Sequence, residues 1–310
     1  MAFNWKTFKT RALTAIIFAA IMLTGLLWNQ WSFLVLFSVI HFGCWWEYFN
    51  LLEKIHNTIY HRYTRIGFML MGYAIMLLFC SPTYHVNNYQ FYQNFPFPVS
   101  IAGFVMIVFG IFQRKLITLK TFGTAALGLV YISLSWALMI SLYLSQIVFD
   151  YGQMRPSANP PMEVYQNISK PWIIPLAIIS SIWINDTMAY IVGSLIGKTQ
   201  LSAISPKKTW EGTIGGIILS TAITGSIFSN ISIDQVINEM FDFSSYHWYV
   251  IALVASVFGT IGDLLESKLK RMAGVKDSGS LMPGHGGFLD RFDSMLLATP
   301  AVWLFVFFFM

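Results

Sequence analysis

PWIIPLAIISSIWINDTMAYIVGSLIG, residues 171–197, is apolar for nearly its whole length yet carries Asn185, Asp186 and Thr187 in its middle. A helix needs ~20 apolar residues to cross a ~30 Å hydrocarbon core, so the stretch is long enough to span, and long enough to be broken in the middle. A carboxylate at membrane depth costs at least ~2.5–3.5 kcal/mol, which is tolerated when it faces a cavity or a partner. Asn185 and Asp186 therefore read either as an interhelical hydrogen-bond cluster or as the polar wall of a site.

Comparable apolar runs recur on both sides of this segment, at roughly 12–29, 32–50, 65–81, 98–113, 122–147, 211–229, 247–265 and 292–310. With 171–197 they make nine. The composition agrees: hydrophobic residues are 56% of the chain and charged residues 11%, and mean hydropathy is +0.61. Soluble domains carry ~25% charged residues to keep their surfaces hydrated, so this chain faces something other than water. The expected fold class is an all-α integral membrane protein of about nine transmembrane helices.

Charge placement orients these helices. With Lys6, Lys9 and Arg11 in the cytoplasm, nine crossings also put 50–64, 114–121, 198–210 and 266–291 there. Of the 19 basic residues, only Arg155 and Lys170 then fall on the opposite face. The positive-inside rule thus predicts a cytoplasmic N-terminus and an outer C-terminus. The net charge of +5 follows from this topology and from anionic headgroups, and gives no reason to expect nucleic acid. The first apolar run follows three basic residues but lacks a small-residue cleavage site, so it reads as a signal-anchor. Cys44 and Cys80 fall near opposite membrane faces, too far apart for a disulfide, and read as packing residues.

The two halves differ in character. Residues 1–150 read as about five plain spans, with Trp28, Trp31, Trp45, Trp46 and Tyr48 near the interfaces and with His41 and Glu47 as snorkelling or structural groups. The segment 148–170, rich in proline and carrying the tripeptide Asn167-Ile168-Ser169, reads as an irregular outer loop. Residues 151–310 read as a catalytic membrane region with polar loops turned to the cytoplasm.

Two further constellations carry the chemistry. Ser205-Pro206-Lys207-Lys208-Thr209 leads directly into a span with Glu211 early in it; basic residues, hydroxyls and free backbone N–H groups at a helix start favour polyphosphate. The lysines alone are equally compatible with positive-inside anchoring. The stretch from Gly262 to Ser294, GDLLESKLKRMAGVKDSGSLMPGHGGFLDRFDS, packs five carboxylates among five cations. Asp263 and Glu266 are three apart, as are Asp290 and Asp293, so each pair shares a helical face. Two such pairs around a glycine-rich loop can converge on a hard cation, as Mg²⁺ sites with phosphate substrates do.

The residues Ser267, Lys270, Arg271, Lys276, Asp277, Pro283, His285, Gly286, Gly287, Asp290, Arg291 and Asp293 resemble the signature of the phosphatidate cytidylyltransferase (CDP-diacylglycerol synthase) family. Ser205–Gly212 and Asn185–Thr187 resemble it too, in the right order. Met282 departs from the usual Leu, Ile or Phe. The resemblance spans about 171–294; the first half matches only as apolar spans. It implies Mg²⁺-dependent transfer of CMP from CTP to phosphatidic acid, with release of pyrophosphate. It implies metal, in one or two sites, on Asp263, Asp290 and Asp293, and catalytic roles for these three with Lys207 and Lys276. The implied substrate-binding residues are Asn185, Asp186, Ser205, Lys207, Lys208, Lys270, Arg271, Asp277, His285, Gly286, Gly287 and Arg291. The partners implied are CTP, phosphatidic acid and membrane lipids, with a homodimer as an option, in a bacterial inner membrane or its equivalent. CDP-alcohol phosphotransferases also use clustered aspartates, but their Asp-Gly motif is absent. A transporter would distribute polar groups through many spans, whereas here they concentrate in the last four.

Overall fold

The computed structural model describes residues 5–80, 84–86, 89–113, 118–143, 171–231, 245–280 and 286–310; for 5–12 it describes the backbone alone. Nine helices order the described chain: α1 Trp5–Leu27, α2 Gln30–His56, α3 Arg62–Leu78, α4 Phe91–Phe112 with a break at Phe95, α5 Leu119–Tyr143, α6 Ile173–Ile196, α7 Trp210–Ser229, α8 Ser245–Met272 and α9 Leu289–Phe309. Seven of these, α2 and α4 to α9, are long and apolar enough to cross a membrane. The chain is a multi-pass membrane protein. Helix α6 runs unbroken through Asn185 and Asp186, because their side chains can be satisfied or opened to a cavity without costing a backbone hydrogen bond. Arg114, Lys115, Arg155, Lys170, the 167–169 tripeptide and His285 lie outside the described residues.

Local chemistry sets the helix ends. Asn29 caps α2 reciprocally with Ser32: Ser32 N–H donates to Asn29 Oδ1 at 2.8 Å, and Asn29 N–H to Ser32 Oγ at 3.1 Å. Such a box satisfies two N–H groups that the helix leaves orphaned. At the other end of α2, Glu53 accepts from Tyr60 N–H at 2.7 Å and pairs with Arg65 at 2.7 Å, which fixes the turn into α3.

Helices α6 to α9 pack on one another as a four-helix group, while α3 packs on α4 and on the middle of α5. The α6–α7 crossing is close because Gly216 faces Ala189: a Cβ there would stand 2.8 Å from the Ala189 Cβ and 2.9 Å from the Asn185 carbonyl oxygen. Lipid tails are as apolar as leucine, so association inside a bilayer rests on such small-residue contacts and on interhelical hydrogen bonds. The latter form a ladder. Ser220 Oγ donates to the Ser181 carbonyl at 2.7 Å, Ser256 Oγ to Ser220 Oγ at 3.1 Å, and Asn185 Nδ2 to Thr260 Oγ1 at 3.2 Å. Bonds of this kind are worth ~0.6 kcal/mol each in membranes, with geometry as their larger effect.

The first half departs from its plain reading. Trp45 is fully buried rather than interfacial, as is His41. Both meet Ser133: Trp45 Nε1–H donates to its Oγ at 2.8 Å, and His41 Nε2 lies 3.0 Å from it. Ser133 sits in a π-helical turn, Leu129–Leu134, within α5; such turns leave backbone geometry that side chains can exploit. Tyr48 is also buried, its hydroxyl donating to the Thr124 carbonyl at 2.8 Å. Trp28 and Trp46 remain exposed, and the Arg65 guanidinium lies 5.2 Å above the Trp46 ring. Cys44 and Cys80 are both free and buried.

Candidate active site

Between α6 and α7 the polar loop folds into a short antiparallel hairpin, β3 Gln200–Ser202 and β4 Ser205–Thr209; a smaller hairpin, β1 His85–Val86 and β2 Tyr89–Gln90, precedes α4. Two contacts pin the β3–β4 hairpin to α7. Thr209 caps the helix, accepting from Gly212 N–H at 3.2 Å. The Glu211 carboxylate accepts from Lys198 N–H at 3.2 Å and Thr199 N–H at 3.1 Å. The lysine-bearing strand β4 is thereby held over the end of α6.

Beneath it lies a cavity of about 400 Å³ lined by Asn185, Asp186, Ser205, Lys207, Lys208 and Asp263, with Thr209, Thr213, Thr260 and Tyr190 among its walls. That volume falls within the range of small-molecule sites. Three distant stretches of sequence meet here. Asn185 is buried, and while its amide nitrogen serves Thr260, no described protein group pairs with its Oδ1. Lys207 lines the cavity and is exposed, and Lys208 forms an ion pair with Asp263.

Asp263 belongs to a second feature. Its carboxylate, with those of Glu266 and Asp293, offers oxygens all within 4.8 Å of one another. The facing positions come from helical spacing: Asp263 and Glu266 lie on one face of α8, and the crossing of α8 with α9 brings Asp293 to them. Glu266 is completely buried; its Oε2 forms an ion pair with Lys270 Nζ at 2.5 Å, and neither of its oxygens takes a hydrogen bond from a described group. Asp293 Oδ1 accepts from Ser294 N–H at 2.6 Å.

Asp290 is placed differently from Asp263 and Asp293, with which the resemblance groups it as a metal ligand. Both its oxygens are taken. Oδ1 accepts from Lys270 Nζ at 2.7 Å. Oδ2 accepts from Ser278 N–H at 2.8 Å and Gly287 N–H at 2.8 Å, and Ser278 Oγ lies 2.9 Å from it. Asp290 thus ties the glycine-rich loop to the start of α9, where Gly286 adopts φ +83°, a backbone region open to glycine at little cost. Glu266 occupies the third position of the carboxylate cluster instead.

The donor set suits a hard divalent cation. Mg²⁺ takes oxygen ligands from one or two carboxylates together with substrate phosphates. Here Asp263, Glu266 and Asp290 pair with the ammonium groups of Lys208 and Lys270 beside Asp293, and neither buried oxygen of Glu266 takes a hydrogen bond from a described group. Of the remaining expected residues, Lys276, Asp277, Arg271 and Arg291 are exposed and do not line the cavity. Arg271 donates to the Val275 carbonyl at 3.1 Å and so closes the end of α8.

Sequence reading assigned Glu47 no place in this arrangement. It reaches in from α2, with Oε1 accepting from Phe288 N–H at 2.9 Å and Oε2 from Leu289 N–H at 2.9 Å; Ser278 Oγ, whose one proton is shared between Glu47 and Asp290, lies 2.6 Å from Oε2. Its position within an apolar helix was the available signal, since a buried intramembrane acid needs a partner.

Residues 9–309 match the model of the cytidylyltransferase family. The chain belongs to that family. This cytidylyltransferase is similar to the phosphatidate cytidylyltransferase of Synechocystis, with 28% identity over 96% of this chain and 95% of that relative. It is 45% identical over 122 residues to the phosphatidate cytidylyltransferase of Staphylococcus saprophyticus, covering 38% of this chain and 43% of that protein. It is also 46% identical over 127 residues to phosphatidate cytidylyltransferase 4, chloroplastic, of Arabidopsis thaliana, covering 41% of this chain and 30% of the relative. The family makes the chain a nucleotidyltransferase enzyme.

Proposed function

We propose that this cytidylyltransferase converts CTP and phosphatidic acid to CDP-diacylglycerol and pyrophosphate. The observation that carries the reading is the junction at Asp263, where a lysine- and hydroxyl-lined cavity of nucleotide size adjoins a buried cluster of carboxylates. The names of the relatives supply the substrates.

In the proposed reaction a phosphate oxygen of phosphatidic acid attacks the α-phosphorus of CTP. A new P–O bond forms to the lipid phosphate, and the bond from the α-phosphorus to the bridging oxygen breaks, with pyrophosphate leaving. The nucleophile is already anionic, so no general base is required, and the protein's task is positioning and charge neutralisation. Lys207 and Lys208 bind phosphate oxygens; Lys208 gives up its pairing with Asp263 as the triphosphate arrives. Asn185 offers Oδ1 to a substrate donor. Asp263, Glu266 and Asp293 would hold Mg²⁺, which when bound neutralises charge on the triphosphate. The positive-inside pattern supports a cavity opening to the cytoplasm, where CTP is found.

Radiolabelled CTP tests the reading. Purified protein in detergent with Mg²⁺ should yield organic-soluble label only when phosphatidic acid is present. Label that stays aqueous with phosphatidic acid, or that appears equally with diacylglycerol, would sink the proposal.

A further inference from the structure

Glu47 is the buried acid that the proposed reaction leaves unused. It stands in α2, more than 200 residues from the groups it touches, and only 6% of its surface is exposed. Helix α9 begins at Leu289 with no side-chain cap from Phe288, its own N-cap residue. The first N–H groups of a helix have no partners within it, and their partial positive charge favours an anion. Glu47 fills that place from the other half of the chain, taking the Phe288 and Leu289 N–H groups on separate oxygens at 2.9 Å each.

The surrounding residues are shaped around this carboxylate. A Cβ on Gly279 or on Gly287 would collide with it, and Gly43, one turn before Glu47, leaves room for the Phe288 ring. Gly279 and Gly287 are thus accounted for by the space that Glu47 takes. The contacts continue from there. Ser278 Oγ lies 2.6 Å from Glu47 Oε2 and 2.9 Å from Asp290 Oδ2. Asp290 holds Lys270 at 2.7 Å, and Lys270 holds Glu266 at 2.5 Å. Five side chains in series join the first half to the carboxylate cluster.

We propose that Glu47 is a positioning residue for the nucleotidyl transfer: it fixes the loop and the start of α9, and through Ser278 and Asp290 it sets Lys270 and Glu266. The first half of the chain on this account supplies part of the site's framework. The inference rests on the proposed function, and the test separates the two.

The full-length protein is assayed in nanodiscs with labelled CTP. If the unaltered chain gives no phosphatidic-acid-dependent lipid label, the functional reading fails, whatever Glu47 does. If it does, Glu47→Gln decides. The amide presents NH₂ toward a donor on one side, so kcat should fall by about 30-fold or more, in protein whose unfolding midpoint, lowered by a few degrees, stays well above the assay temperature. Glu47→Asp keeps two acceptor oxygens and should recover part of that loss, while Glu53→Gln, an acid of the same helix outside the network, should stay within about threefold. Groups acting in one network couple, so Glu47→Gln with Asp290→Asn should be no worse than Asp290→Asn alone by more than about threefold. A Glu47→Gln rate within threefold of wild type, effects that multiply in the double variant, or a loss that tracks unfolding would each overturn the proposal. Should Glu47→Gln fail to accumulate, Ser278→Ala decides by removing the bridging hydroxyl: a tenfold fall in kcat supports the proposal, and a rate within threefold refutes it.

Discussion

Glu266→Gln and Asp290→Asn form a matched pair, because each removes one negative charge and keeps the shape. In the structure their partners differ. Glu266 lends Lys270 one oxygen and keeps the other unpaired within the carboxylate cluster. Breaking a buried ion pair costs ~3–5 kcal/mol when a charge is left alone. Here Lys270 retains Asp290 at 2.7 Å, so Glu266→Gln should fold nearly as well as wild type. Metal binding is another matter. Loss of even an outer-shell partner weakens a metal site ~10- to 100-fold, and loss of a direct ligand's charge costs at least as much. The Mg²⁺ concentration for half-maximal activity should therefore rise by about 100-fold or more in Glu266→Gln, with turnover recovered at high Mg²⁺. Asp290→Asn disturbs four hydrogen bonds that organise the loop and α9, so its loss should fall on kcat and resist added Mg²⁺. The assay is label incorporation titrated with MgCl₂, beside thermal unfolding in the same detergent. A wild-type Mg²⁺ titration for Glu266→Gln, or rescue of Asp290→Asn alone, would refute the assignment and return the third ligand to Asp290.

Three further outcomes are expected. Lys207→Ala or Lys208→Ala should lower kcat/KM for CTP by at least about tenfold, the size of a lost charge-assisted hydrogen bond, against Lys54→Ala as control; equal, small effects at all three would leave the lysines as topological anchors. Gly216→Val should prevent the close approach of α6 and α7 and lower the unfolding midpoint by several degrees, since overpacking costs ~1–3 kcal/mol; an unchanged midpoint would remove that crossing from the account. Cysteines introduced at 54, 207 and 276 should react with an impermeant reagent from the same membrane face, over a low background because Cys44 and Cys80 are buried; labelling of 207 and 276 from opposite faces would break the single-site arrangement.

The fold was legible because a bilayer imposes one strong rule: apolar runs of spanning length must satisfy their backbone internally, and helices do so. The runs around α2 and α6 could therefore be read without any partner being known. What composition could not reveal is which face of a helix turns inward. Trp45 and Tyr48 carry the amphipathic rings that favour an interface, but Ser133 and the Thr124 carbonyl give their polar atoms partners inside the bundle. The π turn that carries Ser133 left no mark in the hydropathy of 122–147.

The candidate site was legible to the extent that its residues are neighbours in sequence. Helical spacing puts Asp263 and Glu266 on one face whatever the rest of the chain does. Spacing is silent about how paired charges distribute once helices meet. The aspartates at 290 and 293 look equivalent in sequence; only the position of Lys270 and the loop N–H groups makes one an organiser and leaves the other in the cluster. Glu47 was harder still, because its partners are backbone N–H groups of residues 288 and 289, and any residue type other than proline would offer the same donors. An acid in an apolar span announces that a partner exists, while the identity of that partner belongs to the packing of α2 against α9. Two lone carboxylates in such a chain, Asp186 and Glu47, thus arise from different physics: one opens to a cavity, and the other completes a helix that begins 242 residues away.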